Sequence, residues 1–135
     1  MGREFEHRGK YFDCVIASTA ARVRETIEGV QEKFDFRAPI RFEPGIYLAG
    51  VDTLVSLVRE LPDDVCAPLL VGHNPGMHEL IIGLSRDDKR GLRRTVAAKF
   101  PTAGFAALEL PADKWSDVEP GIGEIAELIF PRDLD

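Results

Sequence analysis

The stretch that decides the fold is Pro68-Leu69-Leu70-Val71-Gly72-His73-Asn74-Pro75-Gly76, in which a short apolar run leads into a turn. The apolar run predicts a buried strand over 68–71, because strands of this length are bounded by glycine and proline. A helix is predicted directly after the turn, since apolar residues follow at helical spacing, namely Met77, Leu80, Ile81 and Leu84. His73 would then lie at the carboxyl end of a strand, above a helix N-terminus that favours an anion. A lone histidine in such a turn is more often simply hydrogen-bonded, but the surrounding Gly-His-Asn-Pro-Gly favours the anion site.

The rest of the chain alternates short apolar runs with helical patterns, which is typical of α/β proteins with a largely parallel sheet. Further strands are predicted over 13–17, 39–43, 105–110 and 124–130, and further helices over 20–34, 54–61 and 87–98. Residues 1–9 are predicted to be the end of a helix that stops at Gly9. The 135 residues contain no repeat and no linker. We therefore predict one domain over 1–135, a three-layer sandwich with a mostly parallel central sheet flanked by helices.

A second loop at the carboxyl edge of the predicted sheet carries Ser18 and Arg22. Ser18 and Thr19 are predicted to cap the following helix, on which Arg22 lies in the first turn. The helix dipole disfavours a cation there, and a bound anion would offset that cost, because a guanidinium can bond two phosphate oxygens. The alternative is a surface arginine paired with a nearby carboxylate. Arg24 is predicted to form an exposed ion pair with Glu28.

Composition and charge limit the classes of function. An apolar fraction of 44% with 30% charged residues is that of an ordinary globular domain. The formal net charge of −6 argues against nucleic acid or an anionic membrane as the main partner. Cys14 and Cys66 are predicted to be buried, reduced thiols. No segment has the length and apolarity of a membrane span or the pattern of a secretion signal, so a cytoplasmic protein is expected.

Two segments and two shorter motifs resemble the short, phosphohistidine phosphatase branch of the histidine phosphatase superfamily, which is phosphoglycerate mutase-like in fold. The segments are 18–26, with serine followed four residues on by arginine and then by threonine, and 64–76, with the Gly-His-Asn-Pro-Gly turn. The shorter motifs are 100–104 and the terminal Pro131-Arg132-Asp133-Leu134. The resemblance implies that Arg22 and His73 line the phosphate pocket with Ser18 and Asn74, and that His73 takes part in catalysis. It implies no metal and no cofactor.

The family's nucleophile motif, Arg-His-Gly after an apolar strand, is absent from the 135 residues. His7-Arg8-Gly9 has the same letters in another order and no apolar strand before it, so His7 is predicted to be a surface residue. The family's glutamate after a Leu-Tyr pair is replaced by Leu48 after Ile46-Tyr47. We therefore expect an N-terminally truncated phosphohistidine phosphatase-type phosphohydrolase that is inactive or impaired. A leaving imidazole needs less help from a general acid than an alkoxide does, which favours phosphohistidine over ordinary esters.

Two alternatives remain beside the enzyme. One is a non-catalytic domain that binds a phosphate compound or a phosphoprotein with half of the pocket, and the other is an interaction domain with a vestigial pocket. Without the family's first strand, two neighbouring strands would have unpaired edges, so a homodimer is expected. The basic cluster Lys89, Arg90, Arg93 and Arg94 is predicted to be a solvated helical face rather than a docking surface. His78 is predicted to be an exposed helical residue.

Overall fold

A computed structural model describes residues 1–131 of the chain, and it has two β-sheets. The first is a parallel sheet in the order β2-β1-β3, formed by β1 (Cys14–Ala17), β2 (Ile40–Phe42) and β3 (Pro68–Val71). The second is an antiparallel hairpin of β4 (Phe105–Glu109) and β5 (Glu124–Ile129). The predicted strands are thus confirmed, with ends that differ by at most one residue.

Five α-helices connect and cover the strands. They are α1 (Gly2–His7), α2 (Ala21–Gln31), α3 (Val51–Arg59), α4 (Gly76–Leu84) and α5 (Leu92–Ala98). Short 3-10 turns lie at Pro44–Ile46 and Trp115–Asp117. The predicted helix at the start of the chain is confirmed: it ends before Gly9, which adopts a positive φ of 64°.

The parallel sheet is covered on both faces because its side chains alternate. Val15 and Ala17 of β1 belong to a core on the side of α1 and α2, whereas Ile16 belongs to a core on the side of α3 and α4. The first core is rich in aromatic rings that pack mostly edge to face, with centroids 5.0–6.3 Å apart, namely Phe5, Phe12, Phe34, Phe36 and Phe105. Edge-to-face contacts are a favoured geometry for such rings. The predicted α/β sandwich flanked by helices is therefore confirmed.

The register of β1 against β3 is held at both ends. At the start of the strands, the Asp13 carboxylate accepts hydrogen bonds from the backbone N–H groups of Cys66 and Ala67 at 2.7 and 2.9 Å. At the other end, the Ser18 N–H donates to the Val71 carbonyl at 2.9 Å. Ala17 consequently lies directly beside Val71, and the two loops that follow these strands begin side by side.

The other edge of β3 is not paired within residues 1–131. All four residues of β3 are half-buried, although the sequence there is apolar, whereas three of the four residues of β1 are fully buried. β4 pairs only with β5, so the two sheets are not joined by a ladder in this part of the chain. An apolar strand with one open edge and half-exposed side chains is able to pair with a further strand.

Helix starts differ from the sequence predictions. The residue that precedes α2 is Ala20, and neither Ser18 nor Thr19 bonds to a helical N–H group. The helix predicted over 87–98 begins only at Leu92, because the Asp88 carboxylate accepts the N–H groups of Leu92 and Arg93 and so caps it. These hydrogen bonds lower the pKa of Asp88.

Three smaller expectations can be compared with the structure. No helix in the described part of the chain is long and apolar enough to span a membrane. Both cysteines are free thiols, but the prediction that both are buried is wrong: Cys14 is half-buried and Cys66 is exposed. Burial raises the pKa of the Cys14 thiol. The terminal motif that begins at Pro131 continues into 132–135, which lie outside the described residues.

Candidate functional site

The carboxyl ends of β1 and β3 bring the two predicted loops together. Ser18 follows β1 and is fully buried, whereas His73 follows β3 by two residues and is half-buried. The Ser18 hydroxyl oxygen lies 2.8 Å from His73 Nε2, within hydrogen-bond distance. Two residues separated by 55 positions in the sequence are therefore in direct contact, as expected for neighbouring parallel strands.

The hydrogen bonds of Ser18 determine which nitrogen of His73 can bind a ligand. The hydroxyl oxygen also lies 3.3 Å from the Ala20 backbone N–H, from which it accepts. Its own proton and a second lone pair then remain for His73 Nε2. When neutral His73 carries its proton on Nδ1, Ser18 donates to Nε2, and the Nδ1–H group can donate to an anion. Nδ1 has no hydrogen-bond partner within residues 1–131.

Arg22 occupies the second position of α2, and its side chain is exposed. Its guanidinium forms no hydrogen bond and no ion pair with residues 1–131, and the first turn of α2 has no acidic residue. Among residues 1–131, Arg22 therefore does not form the surface ion pair that was the alternative prediction. A cation in the first turn, without a protein partner, suits an anion bound from solution.

Arg24 differs from its neighbour on the same helix, and the ion pair predicted with Glu28 is wrong. Its Nε donates to the Thr19 carbonyl at 3.2 Å. Its guanidinium also lies over the Phe42 ring, 4.2 Å from the centroid, a cation–π contact. Arg24 thus ties the start of α2 to β2, which leaves Arg22 as the arginine of this helix whose guanidinium has no partner within residues 1–131.

Asn74 uses its side chain to hold the second loop. Its amide nitrogen donates to the Phe100 carbonyl at 2.8 Å, and its amide oxygen accepts the His78 N–H at 3.2 Å. One amide N–H of Asn74 remains for a ligand. Asn74 also borders a groove of about 970 Å³ that Lys99 and Phe130 help to line.

The two glycines of the turn allow neighbouring chain segments to approach. A Cβ atom on Gly72 would lie 3.0 Å from the Ile46 side chain, and one on Gly76 would lie 3.1 Å from the Ala49 carbonyl oxygen. The space beside Gly72 is filled by Ile46 together with the Met77 side chain, at 2.9 Å, and the space beside Gly76 by the backbone of the loop 43–49. A larger residue at Gly76 would press on the backbone of that loop, whereas one at Gly72 would first displace the end of the Met77 side chain.

Tyr47 in the loop 43–49 is a site residue that sequence reasoning missed. Its ring meets the His73 ring edge to face, with centroids 5.5 Å apart, and the residue is still 55% exposed. Leu48 beside it is 82% exposed and has a positive φ of 56°. A Tyr-Leu pair in a loop between two glycines is the available signal, because large apolar residues in an exposed turn are unusual.

The remaining histidines and the basic cluster have other partners. His7 is exposed at the end of α1, as predicted. His78 is half-buried rather than exposed, and its Nε2 lies 2.6 Å from the Val96 carbonyl oxygen. Three of the four basic residues are exposed, as predicted, although Arg90 also donates to the Ala126 carbonyl; Arg93 is half-buried and donates to the carbonyls of Ile82 and Ser85.

The described residues contain no group of three or more His, Cys, Asp or Glu side chains that could hold a metal ion. The candidate site offers a serine hydroxyl, an imidazole, an amide and a guanidinium, all of which can donate hydrogen bonds to the oxygens of an anion.

Comparisons of sequence identify mycobacterial relatives. The chain is 33% identical over 122 residues to the uncharacterized protein Rv1276c of Mycobacterium tuberculosis, a match of 89% of this chain and 74% of that protein. It is 30% identical over 121 residues to ML1117 of Mycobacterium leprae, a match of 87% of this chain and 71% of that protein. No family model matches the sequence.

Solved structures identify a shared fold. A protein from Nakamurella multipartitia that is described as a phosphohistidine phosphatase, SixA, superposes on this chain with a TM-score of 0.81 at 26% identity. The superposition covers 96% of this chain and 77% of that one. A protein from Agrobacterium tumefaciens with the same description superposes with a TM-score of 0.75 at 26% identity, over 96% of this chain and 75% of that one. The protein histidine phosphatase SixA in complex with tungstate shares the fold at 18% identity, with a TM-score of 0.77 over 99% and 78% of the chains.

Proposed function

Because the chain belongs to the phosphohistidine phosphatase branch of the histidine phosphatase superfamily, we propose that its site binds the phosphoryl group of a phosphorylated protein histidine or a small phosphate compound. The observation that carries the proposal is the hydrogen bond between Ser18 and His73, which places the imidazole at the sheet edge beside the helix that bears Arg22. Arg22 and His73 Nδ1 supply charge and a donor to phosphoryl oxygens, and Ser18 orients His73. Asn74 holds the loop and offers its remaining N–H.

The chemistry proposed for this site is stabilisation of negative charge. A phosphoryl group in transfer spreads charge over three equatorial oxygens, and positioned donors stabilise that charge. Within the 135 residues no Arg-His-Gly provides a nucleophile. We therefore propose that these residues by themselves bind a phosphoryl group and hydrolyse it poorly or not at all. This proposal concerns the 135 residues alone.

Binding is tested by titrating the purified chain with tungstate and with inorganic phosphate by isothermal calorimetry. We expect saturable binding that Arg22→Ala weakens by at least 10-fold, because a charge-assisted hydrogen bond contributes about 1.5–3 kcal/mol. The matched control is Arg94→Ala, which removes the same charge from an exposed position on α5. An equal loss in both variants would indicate a general charge effect and would contradict the proposed site.

Turnover is tested separately with a phosphohistidine peptide. We expect no hydrolysis above background by the wild-type chain or by His73→Ala. Hydrolysis by the wild type that disappears in His73→Ala would mean that a substitute nucleophile exists, and the second part of the proposal would be wrong. The alternative function, a domain that binds phosphoproteins without turnover, predicts the same titration result and no hydrolysis under any condition.

A further inference from the structure

The loop that carries Tyr47 beside the candidate site is hydrogen-bonded within itself. The Glu43 carboxylate accepts the Gly45 N–H at 3.1 Å, and the Tyr47 N–H donates to the Pro44 carbonyl at 3.2 Å. Ile46 next to it is buried and packs against Gly72. These contacts hold the backbone that leads into Tyr47, whose ring meets the His73 ring.

The exposed pair Tyr47 and Leu48 has an energetic cost. Each of these two large residues exposes more than half of its surface to solvent. Leu48 also adopts the left-handed region at φ 56°, which a residue with a branched side chain rarely occupies. Residues in such conformations cluster at ligand sites, where the surrounding structure maintains them. Of the two residues, Tyr47 is the one whose ring meets the His73 ring.

We propose that Tyr47 is a specificity-determining residue that contacts a planar aromatic group bonded to the bound phosphorus. The proposal rests on the proposed function, because it takes the phosphoryl group to lie at Arg22 and His73. A group attached to that phosphorus lies within a few ångströms of the imidazole, and Tyr47 offers the exposed aromatic surface next to it. An imidazole or phenyl ring can form an aromatic pair with the tyrosine ring, whereas a methyl or hydroxyl substituent offers much less contact area and no ring.

The site would therefore prefer N-phosphoryl imidazole and aryl phosphates to alkyl phosphates. The group bonded to phosphorus is recognised by ring contact, and the phosphoryl oxygens are recognised by the donors of the two loops. Binding of the oxygens and selection of the ring are then separable, since they depend on different residues.

The experiment compares three anions that the protein cannot consume, namely phenylphosphonate, methylphosphonate and inorganic phosphate, by calorimetry or ³¹P NMR titration. The wild-type chain should bind phenylphosphonate more tightly than methylphosphonate. Tyr47→Ala should reduce that ratio by roughly 2- to 10-fold, the range expected for one aromatic pair. Tyr47→Phe should retain the ratio. Tyr11→Ala, which removes the chain's other tyrosine, itself 67% exposed, is the matched control and should also retain it.

Two results would overturn the proposal. If Tyr47→Ala leaves the ratio unchanged, the ring does not contact the substituent. If it weakens all three anions equally, Tyr47 only supports His73. Either result leaves the phosphoryl site itself in place. If the wild-type chain binds none of the three anions and no tungstate, the proposed function fails together with this inference.

Discussion

Replacing Ser18 with alanine tests whether the buried hydroxyl positions His73. The side chain of Ser18 is fully buried, and its oxygen contacts His73 Nε2 at 2.8 Å and the Ala20 N–H at 3.3 Å. One good hydrogen bond contributes about 0.5–1.5 kcal/mol net, and the longer one less. Because His73 and Ala20 are half-buried, water can partly replace the hydroxyl as the hydrogen-bond partner of His73 Nε2 and of the Ala20 N–H. We expect Ser18→Ala to lower the free energy of unfolding by about 1–2 kcal/mol.

The same substitution should affect ligand binding more than an equally buried serine elsewhere. Ser85 is 3% exposed, and its hydroxyl donates to the Ile81 carbonyl at 2.7 Å on the far side of α4. Ser85→Ala should therefore lower the free energy of unfolding by a similar amount and leave the affinity for the anion unchanged. Unfolding in urea can be followed by the fluorescence of the single tryptophan, Trp115. Tungstate affinity should fall about 10-fold in Ser18→Ala only.

The reasoning about Ser18 would be refuted if both serine variants bind tungstate as tightly as the wild type. It would also be refuted if the ¹⁵N shifts of the imidazole show the same tautomer of His73 in Ser18→Ala as in the wild type. Either result would mean that the orientation of the ring is set by other contacts, such as that with Tyr47.

Three further results are expected. Partial burial by itself raises the pKa of Glu127, but hydrogen bonds from Lys10 and Arg8 outweigh it and lower that pKa. These bonds therefore stabilise the fold above about pH 4.5, and the stabilisation is lost as the pH falls below that value. The difference in free energy of unfolding between the wild type and Glu127→Gln, measured in urea, should shrink with acidification, and a constant difference would contradict this. Gly123→Ala should lower the free energy of unfolding by about 1–3 kcal/mol, because its Cβ would lie 2.7 Å from a backbone carbonyl oxygen. Gly29→Ala in α2 meets open space and should raise the free energy of unfolding by about 0.5–1 kcal/mol, and thermal unfolding can measure both changes. Because β3 pairs on one edge only within residues 1–131, the chain should self-associate at micromolar concentration in sedimentation velocity; a monomer with a cooperative melt would count against it.

The parts of the fold that the sequence predicts well are those that depend on burial. The apolar runs of β1 and β3 and the spacing of Val23, Ile27 and Val30 indicate a strand or a helix whatever lies around them. Helix starts are predicted less well, since they depend on single side-chain contacts. Asp88 caps α5 from four residues away, and no periodic pattern reveals which carboxylate turns back to the backbone.

The candidate site follows the same division. The contact between Ser18 and His73 is predictable because each residue follows a strand, and the ends of parallel strands meet at one edge. Tyr47 was missed because it comes from a loop whose position depends on how Ile46 packs against Gly72, a contact between distant segments. The role of Arg24 was misjudged for a similar reason, since its partner Phe42 lies on a neighbouring strand.

The hydrogen bonds of Asp13 have a consequence for protein engineering. A one-residue slip between β1 and β3 would move His73 about 3.3 Å relative to Ser18 and turn the side chains of one strand to the opposite face. The aspartate that prevents this slip binds backbone at the far end of the strands from the site. A designer who wished to transplant the anion site into another α/β scaffold would therefore need to move both strands together with Asp13, because the loop 72–76 alone would arrive without the hydroxyl that orients its imidazole.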